Sequence, residues 1–381
     1  MSSSKIKIAI MSDVIDRRPE RAVYGRRLVE NLLKHPELDI YLIHYKKMPD
    51  DPLYDRVHEI LIPLMPLPWA SHFFSFIWFC LTTKEKFDIV HWLVNRPYPF
   101  FWWIPTKKTV VTVHGGTGER APHIFTIPNL FFNFFLRHFN HHMDAAIAVS
   151  EYGNKEAIYD YHILPEKVFT IYNGIDPIYR QLSENVVRQT LKKYNVNFEK
   201  YFLYLGGLQT HKNVKRLVEA YILLRDSRSI KEKLIIIGRT SYGAKEVHGT
   251  ALNSKYSSDI LFINYVSLED SPAFYCGATA LVFPSLNEGF GLPVVEAMSC
   301  GIPVITSDST SLPEVSGGAA ILINPYKVEE IMNAMRKIVE NENLRKEMVV
   351  KGIIRAKIFT WEKHVEETLI LYKKILNTDQ S

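Results

Sequence analysis

Cysteine, long apolar runs and net charge are all scarce in this 381-residue sequence. The three cysteines, Cys80, Cys276 and Cys300, are an odd number in apolar surroundings, which excludes a disulfide framework and points to buried thiols in a reducing compartment. The longest greasy stretches, residues 73–81 and 97–105, fall far short of the ~20 apolar residues that span a bilayer, so no membrane crossing is expected. The first ten residues lack a long apolar core and a small-residue cleavage site, so no targeting segment is expected and the chain reads as cytoplasmic. Lys plus Arg number 46 against 41 Asp plus Glu, a formal charge of +5. That excess tolerates phosphate or anionic lipid, but with no basic stripe interleaved with aromatics it excludes a nucleic-acid binder. No internal repeat or low-complexity segment is visible.

What is present is an ordinary globular composition, 47% hydrophobic and 23% charged, on a chain more than twice as long as a typical domain of roughly 150 residues. Two domains are the first expectation. Short aliphatic runs alternate with amphipathic helical patterns, as in parallel sheets with crossover helices, so the class is α/β. Strands are expected at residues 6–11, 40–44, 57–62, 89–92, 109–114, 145–149 and 169–172, and again at 202–205, 234–238, 260–263, 280–284, 303–307 and 320–323. Two open sheets fit this better than one very wide sheet. The turn formers Asn173-Gly174 and Asp176-Pro177 end the first series and mark the boundary, giving domains 1–173 and 174–358 and a closing helix within 359–381. Residues 213–225 form the clearest amphipathic helix, with Val214, Leu217, Val218, Tyr221 and Leu224 on one face.

The densest chemical signal runs from Phe283 to Ser307. A strand ends at Pro284, a loop carries Glu288, Gly289, Phe290 and Gly291, and a helix opens near Leu292 and Pro293, where proline needs no N–H. Backbone N–H groups of residues 289–292 at that helix start form an anion-binding concavity. Glu288 and Glu296 flank it, and an ionised carboxylate accepts two hydrogen bonds, which matches the vicinal hydroxyls of a sugar ring. The plainer reading is a strand-loop-helix corner with two solvated glutamates. A second signal is Gly206-Gly207 followed by Lys212, a sharp turn and a cation able to neutralise a diphosphate, against an ordinary turn with an exposed lysine. A third is His114 at the carboxyl end of a parallel strand, where such sheets open to ligands, although most histidines are structural. Ser150 is read first as a helix N-cap and second as a ligand contact. Gly25 and Arg26 are expected to open the helix after the first strand, with Tyr24 beside them.

Taken whole, the run through Glu288 and Glu296 resembles the E-x7-E motif of the retaining glycosyltransferases of family four, the glycosyl transferases group 1. Ser311-Leu-Pro-Glu, Gly317-Gly and Trp361-Glu-Lys are similar as well. The resemblance is dense after residue 170 and loose before 110. It implies the GT-B fold: two Rossmann-like domains facing a central cleft, an acceptor-binding first domain, a second domain that binds a nucleotide sugar, and a closing helix that packs back on the first. It implies that Glu288 contacts the donor sugar, Glu296 the ribose, and Lys212 the diphosphate, with Gly206, Gly207, Arg239 and residues 289–292 completing the donor site. Relatives carry arginine where this chain has Gly207; His211, Arg239 and, further into the helix, Arg216 are the nearest replacements. His114 is implied to face the donor sugar, and Tyr24, Gly25 and Ser150 to face the acceptor. The reaction implied is transfer of a hexose, mannose or glucose with a lean to GDP-mannose, to a glycan or lipid-linked glycan, retaining configuration by a front-face route.

The chain has no Asp-x-Asp, the pair on which another architecture binds a metal, so no metal and no cofactor beyond the sugar nucleotide are expected. Aromatics gathered at residues 69–79, 98–103 and 125–139 read equally as a surface docking on a bilayer or as core plus a sugar platform. Charge does not decide this, since residues 1–175 hold 20 basic against 18 acidic side chains. A noncatalytic glycan-binding relative and a GT-B epimerase or phosphorylase are the alternatives.

Overall fold

The structure, a computed structural model, describes residues 5–11, 19–46, 51–66, 71–94, 97–115, 134–135, 137–227, 230–239 and 243–378, the side chains of 19–22 excepted. The chain divides into two compact units, one made of residues 1–174 and 361–381, the other of residues 175–360.

The first unit holds a seven-stranded sheet of β1 (Ile6–Met11), β2 (Leu38–His44), β3 (His58–Leu61), β4 (Phe87–Trp92), β5 (Thr106–Val113), β6 (Ala145–Ala148) and β7 (Val168–Thr170), ordered β3-β2-β1-β4-β5-β6-β7. All its pairings are parallel, with Ile8 opposite Ile40 on one side and Ile89 on the other. A parallel sheet is covered on both faces, so its strands are near-continuous aliphatic runs rather than alternating ones. That is why these strands fall within two or three residues of the bounds read from sequence. Polar residues inside them, His91 and Thr112 above all, are fully buried and must find partners within the unit.

The second unit repeats the plan with six parallel strands, β8 (Tyr201–Leu205), β9 (Lys233–Ile237), β10 (Ile260–Ile263), β11 (Ala280–Phe283), β12 (Val304–Ser307) and β13 (Ile321–Ile323), ordered β10-β9-β8-β11-β12-β13. In each sheet the winding reverses beside the first strand, between β1 and β4 and between β8 and β11. Ligands of such sheets bind outside the carboxyl ends of the strands at that reversal. The loops after β8 and β11 are those that carry Lys212 and Glu288.

The helix Trp361–Asn377 belongs to the first unit. Its Trp361, Val365, Leu369, Leu371 and Tyr372 join Ile8, Leu28, Leu42 and Val110 in one core, and it packs on the helix Pro19–Leu32 and on β5. That helix begins at Pro19, so Gly25 and Arg26 lie about two turns into it instead of opening it. The predicted helix over 213–225 is found as Val214–Ser227. Of the cysteines, Cys80 and Cys300 are buried and Cys276 is half-buried, all as free thiols.

Candidate active site

Lys212 and Glu288 meet. Lys212 Nζ donates to Glu288 Oε1 at 2.6 Å, with the side chains only 20% and 12% exposed. The lysine ends a 3-10 turn, Thr210–Lys212, and its ammonium lies 5.6 Å from the centroid of the Phe283 ring. Asn213 comes next in a left-handed conformation, and its Nδ2 donates to the carbonyls of Pro284 and Pro325 at 3.0 and 2.6 Å. The His211 carbonyl accepts from Leu286 N and Ser285 Oγ, so the turn after β8 and the loop after β11 are bolted together. Tyr204 Oη donates to Gly207 O and closes the glycine turn. The space a side chain at 207 would enter is filled by the carboxamide of Gln209.

The loop after Glu288 is held by Thr310 and Ser311, just beyond β12. Ser311 Oγ donates to the carbonyls of Glu288 and Phe290, and Glu288 N donates to Thr310 Oγ1. The Glu288 N–H is therefore already engaged. Gly291 takes φ of +97° as the residue capping the helix Leu292–Ser299, a conformation that favours glycine. Phe290 turns its ring into the core against Phe359 and leaves only backbone to the loop. Leu292 opens the helix half-buried. Asn287, Gln209 and Ser309 each keep buried polar side-chain atoms that have no hydrogen-bond partner among the described residues, and all three sit in these loops. Such groups are costly unless a ligand or water reaches them.

Glu296 is the fifth residue of its helix and so lies in the second turn. Tyr275 Oη donates to its Oε2 at 2.6 Å, and the Tyr179 hydroxyl also helps hold the charged form. Burial pushes the carboxyl up to about 7 despite these donors. Both tyrosines were missed in the sequence, because nothing local to residues 179 or 275 points to a partner at 296. Of the replacements considered for the absent arginine, Arg216 donates to Asn213 Oδ1 and lies over Tyr326, whereas Arg239 is exposed with its guanidinium 5.2 Å from the Tyr265 ring. Residues 240–242, which follow Arg239, lie outside the described residues, as does Gly116 beside His114.

In the first unit His114 comes directly after β5, and its Nε2 lies 2.8 Å from Leu93 O. A carbonyl only accepts, so Nε2 carries the proton and Nδ1 the lone pair. Burial lowers its pKa, which keeps the ring neutral. The Tyr24 ring meets it edge-on at 4.7 Å. Tyr24 Oη does not present itself to an acceptor: it is engaged by Thr112 Oγ1 and His364 Nε2 at 3.1 and 3.3 Å. Ser150 is fully buried and accepts from Gly153 N at 2.9 Å, the helix N-cap expected of it. Gly25 is buried in its helix. Among the described residues no group of three or more His, Cys, Asp or Glu side chains is arranged to hold a metal ion.

Two α/β units of parallel strands, the second with a lysine-glutamate pair at its sheet reversal, define the class of the protein. Two family profiles divide the chain accordingly, Glycosyltransferase Family 4 over residues 22–178 and Glycosyl transferases group 1 over residues 188–355. The chain belongs to the family-four glycosyltransferases of GT-B fold. It is 31% identical over 227 residues to the O-antigen chain mannosyltransferase B of Escherichia coli, an alignment that spans 60% of this chain and 60% of that protein. It is 28% identical over 277 residues to the O-antigen chain mannosyltransferase RfbU of Salmonella typhimurium, covering 72% and 71%. The solved structure of a sucrose-phosphate synthase from Thermosynechococcus elongatus superposes with a TM-score of 0.78 over 98% of this chain and all of that one, at 18% identity.

Proposed function

We propose that this protein transfers a hexose, mannose first, from a nucleotide diphosphate sugar to a glycan or lipid-linked glycan, with retention of configuration and without a metal ion. The reading rests on the Lys212–Glu288 pair at the sheet reversal. Breaking the bond between the anomeric carbon and the diphosphate oxygen builds negative charge on the leaving group, and preorganised positive charge near that oxygen is the strongest stabilisation a protein can offer it. Lys212 supplies it by exchanging Glu288 for the diphosphate, which frees the Glu288 carboxylate to accept from sugar hydroxyls. Glu296, fixed by Tyr275, accepts from the ribose diol. As the acceptor oxygen bonds to the anomeric carbon, its proton passes to the leaving phosphate on the same face. The orphaned polar atoms of Gln209, Asn287 and Ser309 support a site whose hydrogen bonding is completed by a ligand. The lean to mannose comes from the names of the relatives.

The acceptor side supports contact with a bilayer. Phe74, Trp78 and Leu81 of the helix Ser71–Thr82 are 43%, 53% and 69% exposed at helical spacing, while Phe76, Phe79 and Cys80 face the core. Among the described residues no helix is long and apolar enough to cross a membrane. The experiment that tests the function is transfer from GDP-mannose, UDP-glucose and related donors to lipid-linked glycan, with and without EDTA. An axial-configured product from an axial donor, formed undiminished in EDTA and lost in Glu288→Ala, supports the reading. An inverted product, or dependence on added magnesium or manganese, contradicts it.

A further inference from the structure

A line of side chains, all buried except the half-buried Tyr24, crosses the first unit, and its hydrogen bonds can run in one direction only. His364 Nδ1 lies 2.8 Å from Tyr172 O, and a carbonyl must accept, so His364 carries its proton on Nδ1. In the neutral ring Nε2 then accepts, and its partner at 3.3 Å is the Tyr24 hydroxyl, which therefore donates. Tyr24 Oη must take its own hydrogen bond from Thr112 Oγ1, 3.1 Å away. Thr112 Oγ1 in turn accepts from His91 Nε2 at 2.8 Å, and His91 Nδ1 accepts from Tyr372 Oη at 2.6 Å. Every member donates once and accepts as its chemistry allows, with no orphan and no charge. Burial supports the neutral rings, lowering His91 to about 3 and His364 to about 4.

The two ends of this line, Tyr372 and His364, are on the closing helix, two turns apart, while Thr112 and His91 are on β5 and β4. Tyr24 is the point where the line touches the reactive face, because its ring packs at 89° to the His114 imidazole. His364 is further seated by Trp361 at 5.2 Å. A phenylalanine at 24 would fill the same space, so the hydroxyl adds orientation and not volume. We propose that Tyr24 and His364 are positioning residues that fix the His114 ring, which makes the closing helix part of the catalytic scaffold of the first unit. This rests on His114 being the group that faces the donor, and it removes Tyr24 from the acceptor contacts.

The test uses the full chain with selectively 15N-labelled histidine, with His114 assigned through His114→Gln. The ring nitrogens should report His364 as the Nδ1–H tautomer and His91 as the Nε2–H tautomer, both neutral at pH 7. Tyr24→Phe should shift or broaden the His114 ring signals and lower kcat about 10-fold or more, with the donor KM within about twofold, as a small misplacement of a reacting group does. His364→Phe should do the same, and His364→Gln, which keeps a polar atom near the Nε2 position, should recover much of the rate. Unchanged kcat in Tyr24→Phe overturns the proposal, and so does a lost rate with the His114 signals in place, or either tautomer reversed. Should His364→Phe fail to fold, Tyr24→Phe decides alone. Should the chain transfer no sugar at all, the His114 signals in Tyr24→Phe still answer, so a wrong function and a wrong positioning role are told apart.

Discussion

Lys212 Nζ stands 2.6 Å from Glu288 Oε1 across the two loops that come after β8 and β11, so the cation proposed to meet a diphosphate is neutralised by a carboxylate. Binding has to exchange one anion for another. Lys212→Met is expected to raise the dissociation constant for the preferred nucleoside diphosphate at least about 30-fold, equivalent to about 2 kcal/mol, since it leaves Glu288 beside the incoming phosphates. Glu288→Gln is expected to leave that constant unchanged or lower while abolishing most sugar transfer. Calorimetry on the two variants checks this, and equal weakening by both would contradict the exchange.

Glu296 gives a pH dependence whose sign is fixed. Its carboxyl ordinarily titrates near 4.5 and is raised to about 7 in the folded protein, so the folded state holds the extra proton between those values. Its contribution to stability is fully present below about 4.5 and is lost as pH rises towards 7. Glu296→Gln, which removes that loss, should be less pH-sensitive over this window in urea unfolding. Nucleotide affinity should run the other way, rising with pH through about 7 as the carboxylate forms and accepts from the ribose. A flat affinity from pH 5.5 to 8 would remove Glu296 from the ribose.

Gly291→Ala tests the loop geometry. A Cβ at φ +97° would lie 2.6 Å from Leu312 Cδ2, and Leu312 is fully buried. Strain of this kind costs about 1–3 kcal/mol. Lower stability together with weaker nucleotide binding is expected from denaturation and titration of the same variant, because the strain falls on the loop that carries Glu288.

Leu369→Ala separates the units. The side chain lies in the core shared by β1, β2 and the closing helix, and its loss should cost about 2–5 kcal/mol. Hydrogen exchange should loosen the first unit, with nucleotide affinity unchanged because Lys212, Glu288 and Glu296 all belong to residues 175–360. Loosening of the second unit alone would contradict this placement of the helix.

The sheets were legible because strands buried on both faces write themselves as aliphatic runs, and residues 260–263 or 201–205 leave little else to read. The loop from Pro284 to Leu292 was legible for the same local reason: a strand end, glycines and a helix-starting proline stand in sequence order. Tyr275 under Glu296 and His364 beside Tyr24 were not, since 21 and 340 residues separate the partners and no periodicity links them. The start of the helix at Pro19 was hidden by Gly25, whose cost in a helix interior is offset by packing. Ser150 shows the reverse: its capping role was written locally, and the structure has it.

On the proposed function, the second unit binds a nucleoside diphosphate with its ribose on Glu296. The most direct measurement is the thermal shift given by GDP and by UDP to the wild type and to Glu296→Ala. A ligand at about 100 times its dissociation constant adds about 2.7 kcal/mol, enough to raise the midpoint visibly. A shift is expected with one of the two nucleotides, and it should largely disappear in Glu296→Ala. A shift of the same size in both proteins would contradict it.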